Sequence, residues 1–198
     1  MERDAGSRST DDAANSARPP RLGLRVCERA RMEQDALIDL ASSLTASGQP
    51  AEGLRALDIA LQRSVGHKLF TVLVLDWKKG ESQRHYSSQP VAYPGGGAKP
   101  IQRDSSFFEY VILAGRPRLC VNYGDCRRAF FDHELIYSLG CESAVNVPVR
   151  WNGKTLGSLN LLHQAGWYTA QMLPELSVYA ALAVPLLQQI VTSRRKPI

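Results

Sequence analysis

The side chains best suited to hold a small molecule lie in one segment of the sequence, between Tyr93 and Tyr137. The segment is rich in aromatic rings and polar groups: Tyr93, Phe107, Phe108, Tyr110, Tyr123, Asp125, Phe130, His133 and Tyr137. A small-ligand site combines an apolar lining with a few fixed polar groups, and this segment can supply both. The phenylalanines could equally be core anchors of short helices. We predict ligand contacts from Tyr93, Phe108, Tyr123, Asp125 and Tyr137.

Thiol chemistry is a second possibility, because the sequence contains Cys27, Cys120, Cys126 and Cys141. None of them forms a Cys-x-x-Cys pair, and the spacing from Cys120 to Cys126 is not that of a usual zinc site. They are expected to be reduced thiols, some of them buried. The sequence shows no Ser-His-Asp order, phosphate-binding loop or metal motif, and no kinase or cyclase signature. No catalytic residue and no metal ligand is therefore predicted.

Composition indicates one compact domain, since the chain has 198 residues of which 44% are hydrophobic. The net charge of +5 is mild and partly sits in the basic tail 194–198. Nucleic-acid binders concentrate charge on a structured face, so no nucleic-acid partner is predicted. The sequence has no apolar run of the roughly 20 residues that span a bilayer and no secretory signal at its start. A cytoplasmic location and no membrane partner are expected.

The N-terminal half is predicted to contain two helices and a hairpin. Residues 1–21 are poor in large apolar side chains and are expected to form a disordered leader. Helices are expected over 22–65, with apolar stripes at Leu37, Leu40, Leu44, Leu54, Leu57 and Leu61. A buried strand over 68–77 then turns into a wetter strand over 83–88. The Pro- and Gly-rich residues 89–99 are expected to form a long loop.

Short elements follow this loop. The pattern predicts a helix over 104–115 and a strand over 118–121. An irregular stretch is expected over 123–125, and Asp132 is expected to cap a short helix over 134–139. These elements must position the aromatic segment, because it spans all of them.

The clearest local signal is Asn152-Gly153 between two strand-like runs, 143–151 and 154–163. Both central positions of a type I′ turn need positive φ, and the twist of that turn matches paired strands. A final helix is expected over 169–193, with a kink or break at Pro185. Strands joined mainly by hairpins predict an α+β fold, an α/β/α sandwich whose antiparallel sheet of about five or six strands carries helices on both faces.

These residues resemble the GAF domain family. In that family a strand of the form small-apolar-x-Val-Pro-Val enters a tight turn and returns as Leu-Gly-x-Leu-x-Leu, a pattern that 143–149 and 156–161 fit. The short helix at 132–136 also stands where such domains place a helix of the ligand pocket. The likeness is to small stand-alone bacterial GAF proteins. It covers roughly residues 54–190, which suggests a single GAF-like domain over 22–193.

The resemblance implies a pocket on one face of the sheet, roofed by the segments between the second strand and the last hairpin. Family members bind cyclic nucleotides, bilins, haem, amino acids or other small molecules, and some bind nothing, so the cofactor stays unknown. The position of Asn160 lies where some members place an acidic residue on the ligand, and Asn160 is the sixth predicted contact.

The register of the last hairpin decides whether Asn160 has a partner there. With the turn centred on Asn152-Gly153, Val145 lies opposite Asn160 and Asn146 lies opposite Leu159. The two amides are then expected to point to opposite faces, unless a bulge intervenes.

The resemblance implies a non-catalytic small-molecule sensor or regulatory domain of signal transduction. It is expected to form a homodimer through its N- and C-terminal helices. The alternative is a thiol-dependent reductase of small sulfoxides, like the free methionine sulfoxide reductases, which have a GAF fold and use a nucleophilic cysteine with resolving partners. The position of that nucleophile falls near Tyr137, and no cysteine lies between Gln89 and Tyr110. The sensor is therefore favoured.

Overall fold

A six-stranded antiparallel sheet forms the centre of the fold, in the order β3-β2-β1-β6-β5-β4. The computed structural model describes residues 21–193, so residues 1–20 of the predicted leader and the basic tail lie outside the described residues. The strands are β1 (Leu69–Asp76), β2 (Glu81–Ser87), β3 (Lys99–Pro100), β4 (Arg118–Cys120), β5 (Ser143–Trp151) and β6 (Lys154–His163).

Helices cover both faces of the sheet, as the sequence predicts. The helices are α1 (Arg21–Ser43), α2 (Ala51–Ser64), a π-helix (Phe107–Leu113), α3 (Tyr123–Ala129), α4 (His133–Ser138), α5 (Leu173–Leu182) and α6 (Val184–Ser193), with a 3₁₀ turn at Ala170–Met172. The first two and the last two helices pack on one face, which we call the helical face. The others, with the loop after β2, cover the opposite face, which we call the cavity face. The chain therefore has the predicted α+β architecture.

The main core lies on the helical face because side chains alternate along each strand. Phe70, Val72 and Val74 of β1 point to this face, as do alternate residues of β5 and β6. They pack against apolar stripes of the helices, including Leu57 and Leu187. Burying one such side chain contributes about 1.5–3 kcal/mol, so this layer supplies most of the apolar stabilisation.

Two helical predictions are corrected in the segment before the last hairpin. Residues 123–125, expected to be irregular, begin α3, because the Asn122 side chain accepts a hydrogen bond from the Asp125 N–H at 3.0 Å and caps the helix. Asp132 stands at the start of α4 but makes no capping hydrogen bond. Its carboxylate points elsewhere, into the site described below.

The C-terminal helix breaks where a proline was expected to interrupt it. The helices α5 and α6 meet at a bend of 42°, with Pro185 in the first turn of α6. Within residues 21–193, no single helix is long and apolar enough to cross a membrane, and only these two segments taken together across their bend reach that length and composition.

The Asn152-Gly153 turn has the predicted form, but the strand register behind it does not. Asn152 and Gly153 have φ of 46° and 73°, as a type I′ turn requires. The register then shifts between Val149 and Arg150, so Asn146 lies opposite Asn160. The prediction that the two amides point to opposite faces is therefore wrong. The extra residue is Leu156 of β6, between Thr155 and Gly157, which pair with the consecutive residues Arg150 and Val149. One extra residue in a strand reverses the facing of everything beyond it.

His163 is the last residue of β6, and its surroundings favour the neutral form of the imidazole. Its ring stacks on Trp167 at 3.8 Å between centroids, and its Nδ1 accepts a hydrogen bond from the Gln164 N–H at 2.8 Å. Partial burial, with Lys68 and His67 nearby, lowers the pKa of His163 below its ordinary value. A proton on this ring is thus disfavoured in the folded state.

We expect His163 to make the protein less stable as the pH falls. The folded pKa lies below the unfolded value of 6.5, so the unfolded state binds more protons, and the free energy of unfolding decreases as the pH falls through about 6.5. Urea unfolding at about pH 7.5 and about pH 5.5 measures this effect. His163→Gln should show a smaller loss of stability between the two values. An equal or larger loss in the variant would contradict this assignment.

Candidate functional site

A cavity of about 500 Å³ lies between the sheet and the segments that cover its cavity face. Its floor is made by side chains of the three central strands: Thr71, Leu73, Asn146, Asn160 and Leu162. Its walls and roof include Ser82, Arg84, Tyr93, Gly97, Lys99, Ile101, Phe107, Ile112, Arg118, Phe130, Phe131, Asp132 and Ile136. The volume and the mixture of apolar walls with a few polar groups are typical of small-ligand pockets.

The polar part of the floor is a hydrogen-bonded network across three strands. The Asn146 side-chain amide donates to Asn160 Oδ1 at 2.7 Å, and the Ser158 hydroxyl donates to the same oxygen at 2.9 Å. The Asn160 amide donates to the Thr71 hydroxyl at 3.3 Å. All of these side chains are buried. A fully bonded network of this kind holds its polar atoms in fixed positions.

Arg118 lies beside this network, since β4 pairs it directly with Asn146. Its Nε donates to Asn146 Oδ1 and one terminal nitrogen donates to the Ser106 hydroxyl, both at 2.9 Å. The guanidinium carbon lies 5.4 Å from the ring centre of Phe107 and 5.1 Å from that of Phe130. Burial lowers the pKa of Arg118. The side chain is therefore held firmly at the edge of the floor.

A second polar group forms another wall of the cavity. The Tyr93 hydroxyl donates to Asp132 Oδ2 at 2.6 Å. The Arg84 guanidinium lies 3.7 Å from the centre of the Tyr93 ring and 3.8 Å from the same carboxylate oxygen. Burial, followed by the hydrogen bond to Asp132, raises the pKa of Tyr93. This tyrosine therefore acts as a neutral hydrogen-bond donor that ties the loop after β2 to the start of α4.

Comparison with known structures identifies the fold. The GAF domain of a phosphoenolpyruvate-protein phosphotransferase from Acinetobacter has a TM-score of 0.64 and 14% identity, over 83% of this chain and 98% of that one. The GAF domain of the Coxiella burnetii phosphotransferase gives 0.65 and 15%, over 83% and 96%. This chain has a GAF-domain fold. No family model and no curated protein matches the sequence.

An enzyme is also among the structural neighbours of this chain. The free methionine-R-sulfoxide reductase from Neisseria meningitidis, determined with its substrate, has a TM-score of 0.62 and 14% identity, over 83% of this chain and 93% of that one. At such identities the likeness defines the fold alone, and function must be argued from the side chains of the site.

Two of the six predicted contacts line the cavity, namely Tyr93 and Asn160. Phe108 instead packs with Leu75 and Ile112 in a small apolar cluster under the π-helix. Asp125 accepts a hydrogen bond from the Val121 N–H at 2.9 Å. Its carboxylate therefore binds the backbone next to its own helix rather than a ligand in the cavity.

Tyr123 and Tyr137 form a separate aromatic group on α3 and α4. Their ring centres are 4.7 Å apart, and the Tyr123 hydroxyl lies 3.2 Å from His133 Nδ1. Neither tyrosine is among the residues that line the cavity, and Tyr137 is 53% exposed. The structure thus divides the aromatic segment between the cavity over the sheet and an outer surface.

Sequence reasoning missed the charged residues of the cavity, Arg84, Lys99, Arg118 and Asp132. Arg118 lies in the predicted short strand over 118–121, but its role depends on pairing with Asn146, which lies far along the chain. The one feature of the sequence that could have indicated this role was a short predicted strand that begins with an arginine. Without the register, that arginine had no assigned partner.

Three buried cysteines lie together behind the cavity wall: Cys120, Cys126 and Cys141. Burial raises the pKa of Cys141 to about 11. Hydrogen bonding between the other two thiols lowers the pKa of Cys120 and raises that of Cys126. None of the three lines the cavity. Among the described residues, no group of three or more His, Cys, Asp and Glu side chains is placed to hold a metal ion.

Proposed function

We propose that this protein is a non-catalytic sensor or regulatory domain that binds a small molecule in the cavity. The observation that carries the proposal is the floor network of Asn146, Asn160 and Thr71, which is buried and hydrogen-bonded and adjoins a space of about 500 Å³. Exposed lining residues such as Lys99 and Phe131 leave this space open to solvent, so that a ligand can enter it. A large space over fixed polar atoms is the arrangement that a ligand site needs.

The same roof that encloses the cavity offers a way to report binding. Tyr93 and Asp132 join the loop after β2 to the start of α4 by a hydrogen bond at 2.6 Å, and both residues line the cavity. A ligand in contact with them would favour the closed arrangement of these segments over others. Regulation then follows from the difference between the ligand's affinity for the closed arrangement and its affinity for the others.

The proposal includes a cytoplasmic homodimer paired through the N- and C-terminal helices. Exposed apolar side chains support such a contact: Met32 and Ile38 on α1 and Val178 on α5 are 58%, 53% and 46% exposed. Two-fold dimers with self-complementary interfaces are the commonest oligomers. In this arrangement the dimer helices lie on the helical face, across the sheet from the ligand.

We infer regulation rather than sulfoxide reduction from the state of the thiols. A nucleophilic cysteine needs an accessible thiolate, whereas Cys120 and Cys141 are 3% and 0% exposed and lie outside the cavity lining. The desolvated thiol of Cys141, with its pKa of about 11, is protonated at neutral pH. Turnover of free methionine sulfoxide that is lost in both Cys120→Ser and Cys141→Ser would contradict this inference.

Native mass spectrometry of the freshly purified protein tests the proposed site. We expect a retained small molecule that is released on denaturation. Asn160→Leu, which removes the central floor amide, should lose it while circular dichroism shows a folded protein. Gly97→Trp should lose it too, because this exposed lining residue has nothing within 4 Å of its added Cβ and a large ring there would fill the cavity from its rim.

Tyr137→Ala is the matched control, since it changes the outer aromatic group and leaves the cavity lining intact. It should retain the molecule. Loss in Tyr137→Ala alone would move the site to the surface of α3 and α4. Retention in both Asn160→Leu and Gly97→Trp would refute the cavity as the ligand site.

A further inference from the structure

The charges around the cavity do not balance. Arg84, Lys99 and Arg118 line it, and Asp132 is the carboxylate among its lining residues. Asp132 is already engaged, because it accepts the Tyr93 hydrogen bond at 2.6 Å and lies 3.8 Å from Arg84. Lys99 is exposed and lies over the Phe131 ring. Arg118 therefore remains as the partly buried cation of the cavity without a counter-ion.

The partners of Arg118 are neutral. Its guanidinium donates to the Asn146 amide oxygen and to the Ser106 hydroxyl, and phenyl rings lie near it on the π-helix and after α3. Over the part of the chain that the structure describes, no carboxylate forms an ion pair with it within 4.0 Å. A charge that is partly withdrawn from water is costly unless it is paired. Partial burial accordingly lowers the pKa of Arg118.

We propose that the cavity binds a small organic carboxylate whose anionic group pairs with Arg118 and whose apolar body lies over the sheet. The proposal rests on the small-molecule site proposed above and adds the chemical class of its ligand. One fixed uncompensated cation matches a single negative charge. Guanidinium groups also bind planar carboxylates through paired hydrogen bonds.

The rest of the cavity fits an apolar body better than a second charged group. Leu73 and Leu162 on the floor and Ile112 and Ile136 on the walls are aliphatic. The Asn146 and Asn160 amides are already bonded to each other at 2.7 Å. They therefore form a neutral, fixed part of the floor and do not attract a second ion. An aryl or alkyl carboxylate satisfies both parts of the cavity.

Matched acid and amide probes test this class directly. The probes are phenylacetate with phenylacetamide, benzoate with benzamide, and hexanoate with hexanamide, each titrated at constant ionic strength and followed by the NMR spectrum of the protein. A charged hydrogen-bonded pair contributes enough that wild-type protein should bind the preferred acid about tenfold or more tightly than its amide. Arg118→Gln should abolish the preference.

Arg127→Gln is the matched control, because it removes the same charge from an exposed position on α3 that is not part of the cavity lining. It should keep the preference for the acid. If Arg118→Gln fails to fold, Arg118→Lys retains the charge without the planar fork and should bind the acid more weakly than wild type but still more tightly than the amide.

The contrary results separate this proposal from the one on which it rests. Equal affinities for acid and amide in the wild type would overturn the carboxylate and leave small-molecule binding in place. Displacement of the bound acid by inorganic phosphate at the same ionic strength would reassign the anion to a phosphate group. If no probe acid binds, the carboxylate class is refuted, and a retained molecule in native mass spectrometry still decides the sensor proposal.

Discussion

Gly157→Ala is expected to destabilise the protein by at least about 3 kcal/mol, at the upper end of the range for overpacked cores. A Cβ at this position would lie 2.0 Å from the Leu73 carbonyl oxygen and 2.8 Å from a Leu187 methyl group. The first of these atoms belongs to the backbone of β1, so β1 and β6 would have to separate at the centre of the sheet. Glycine is required here because two backbones approach closely.

Thermal and urea unfolding of the variant measure this effect. Gly97→Ala is the control: its added Cβ meets nothing within 4 Å in an exposed loop, and its stability should stay within about 0.5 kcal/mol of wild type. A Gly157→Ala protein that unfolds at the wild-type urea concentration would show that the strands can separate at little cost.

Gly157 also explains why much of the fold could be predicted. It is the glycine of the Leu-Gly-x-Leu-x-Leu run whose resemblance to GAF domains led to the fold. The Asn152-Gly153 turn is a local signal as well, since both residues adopt the positive φ that the turn requires. Features that a few neighbouring residues determine were thus accessible without a structure.

The missed features depend on contacts between distant parts of the chain. The pairing of Asn146 with Asn160 depends on a register shift between Val149 and Arg150. A single extra residue in β6, Leu156, reverses the face of the β6 residues beyond it. Arg118 reaches the floor through pairing with β5. The helix at α3 is different: Asn122 provides a local cap, so that error arose from an overlooked signal.

The fold alone does not distinguish a regulatory function from sulfoxide reduction; the side chains of the site do. GAF domains at 14–15% identity have the same fold as this chain, and so does a sulfoxide reductase at 14% identity. The buried thiols of this chain disfavour the second chemistry, and the bonded amides beside Arg118 favour binding. The register of β5 and β6 is therefore the structural feature on which both proposals depend.

A double-mutant cycle on Asn146 and Asn160 tests that register. Each single change to alanine removes the bond between the two amides at 2.7 Å and leaves the other side chain short of a partner, at an expected cost of about 1–3 kcal/mol. The double variant removes both amides, so it should be less destabilised than the sum of the single changes by about 1 kcal/mol or more. Urea unfolding of the four proteins gives the coupling energy.

The control cycle pairs Asn146→Ala with Leu159→Val. Simple counting from the turn places Leu159 opposite Asn146, whereas the register shift places it opposite Val147, with its side chain in the core of the helical face. These two changes should add to within about 0.5 kcal/mol. If the effects of the two asparagine changes were additive, and those of Asn146→Ala and Leu159→Val were coupled instead, the register without the shift would be supported.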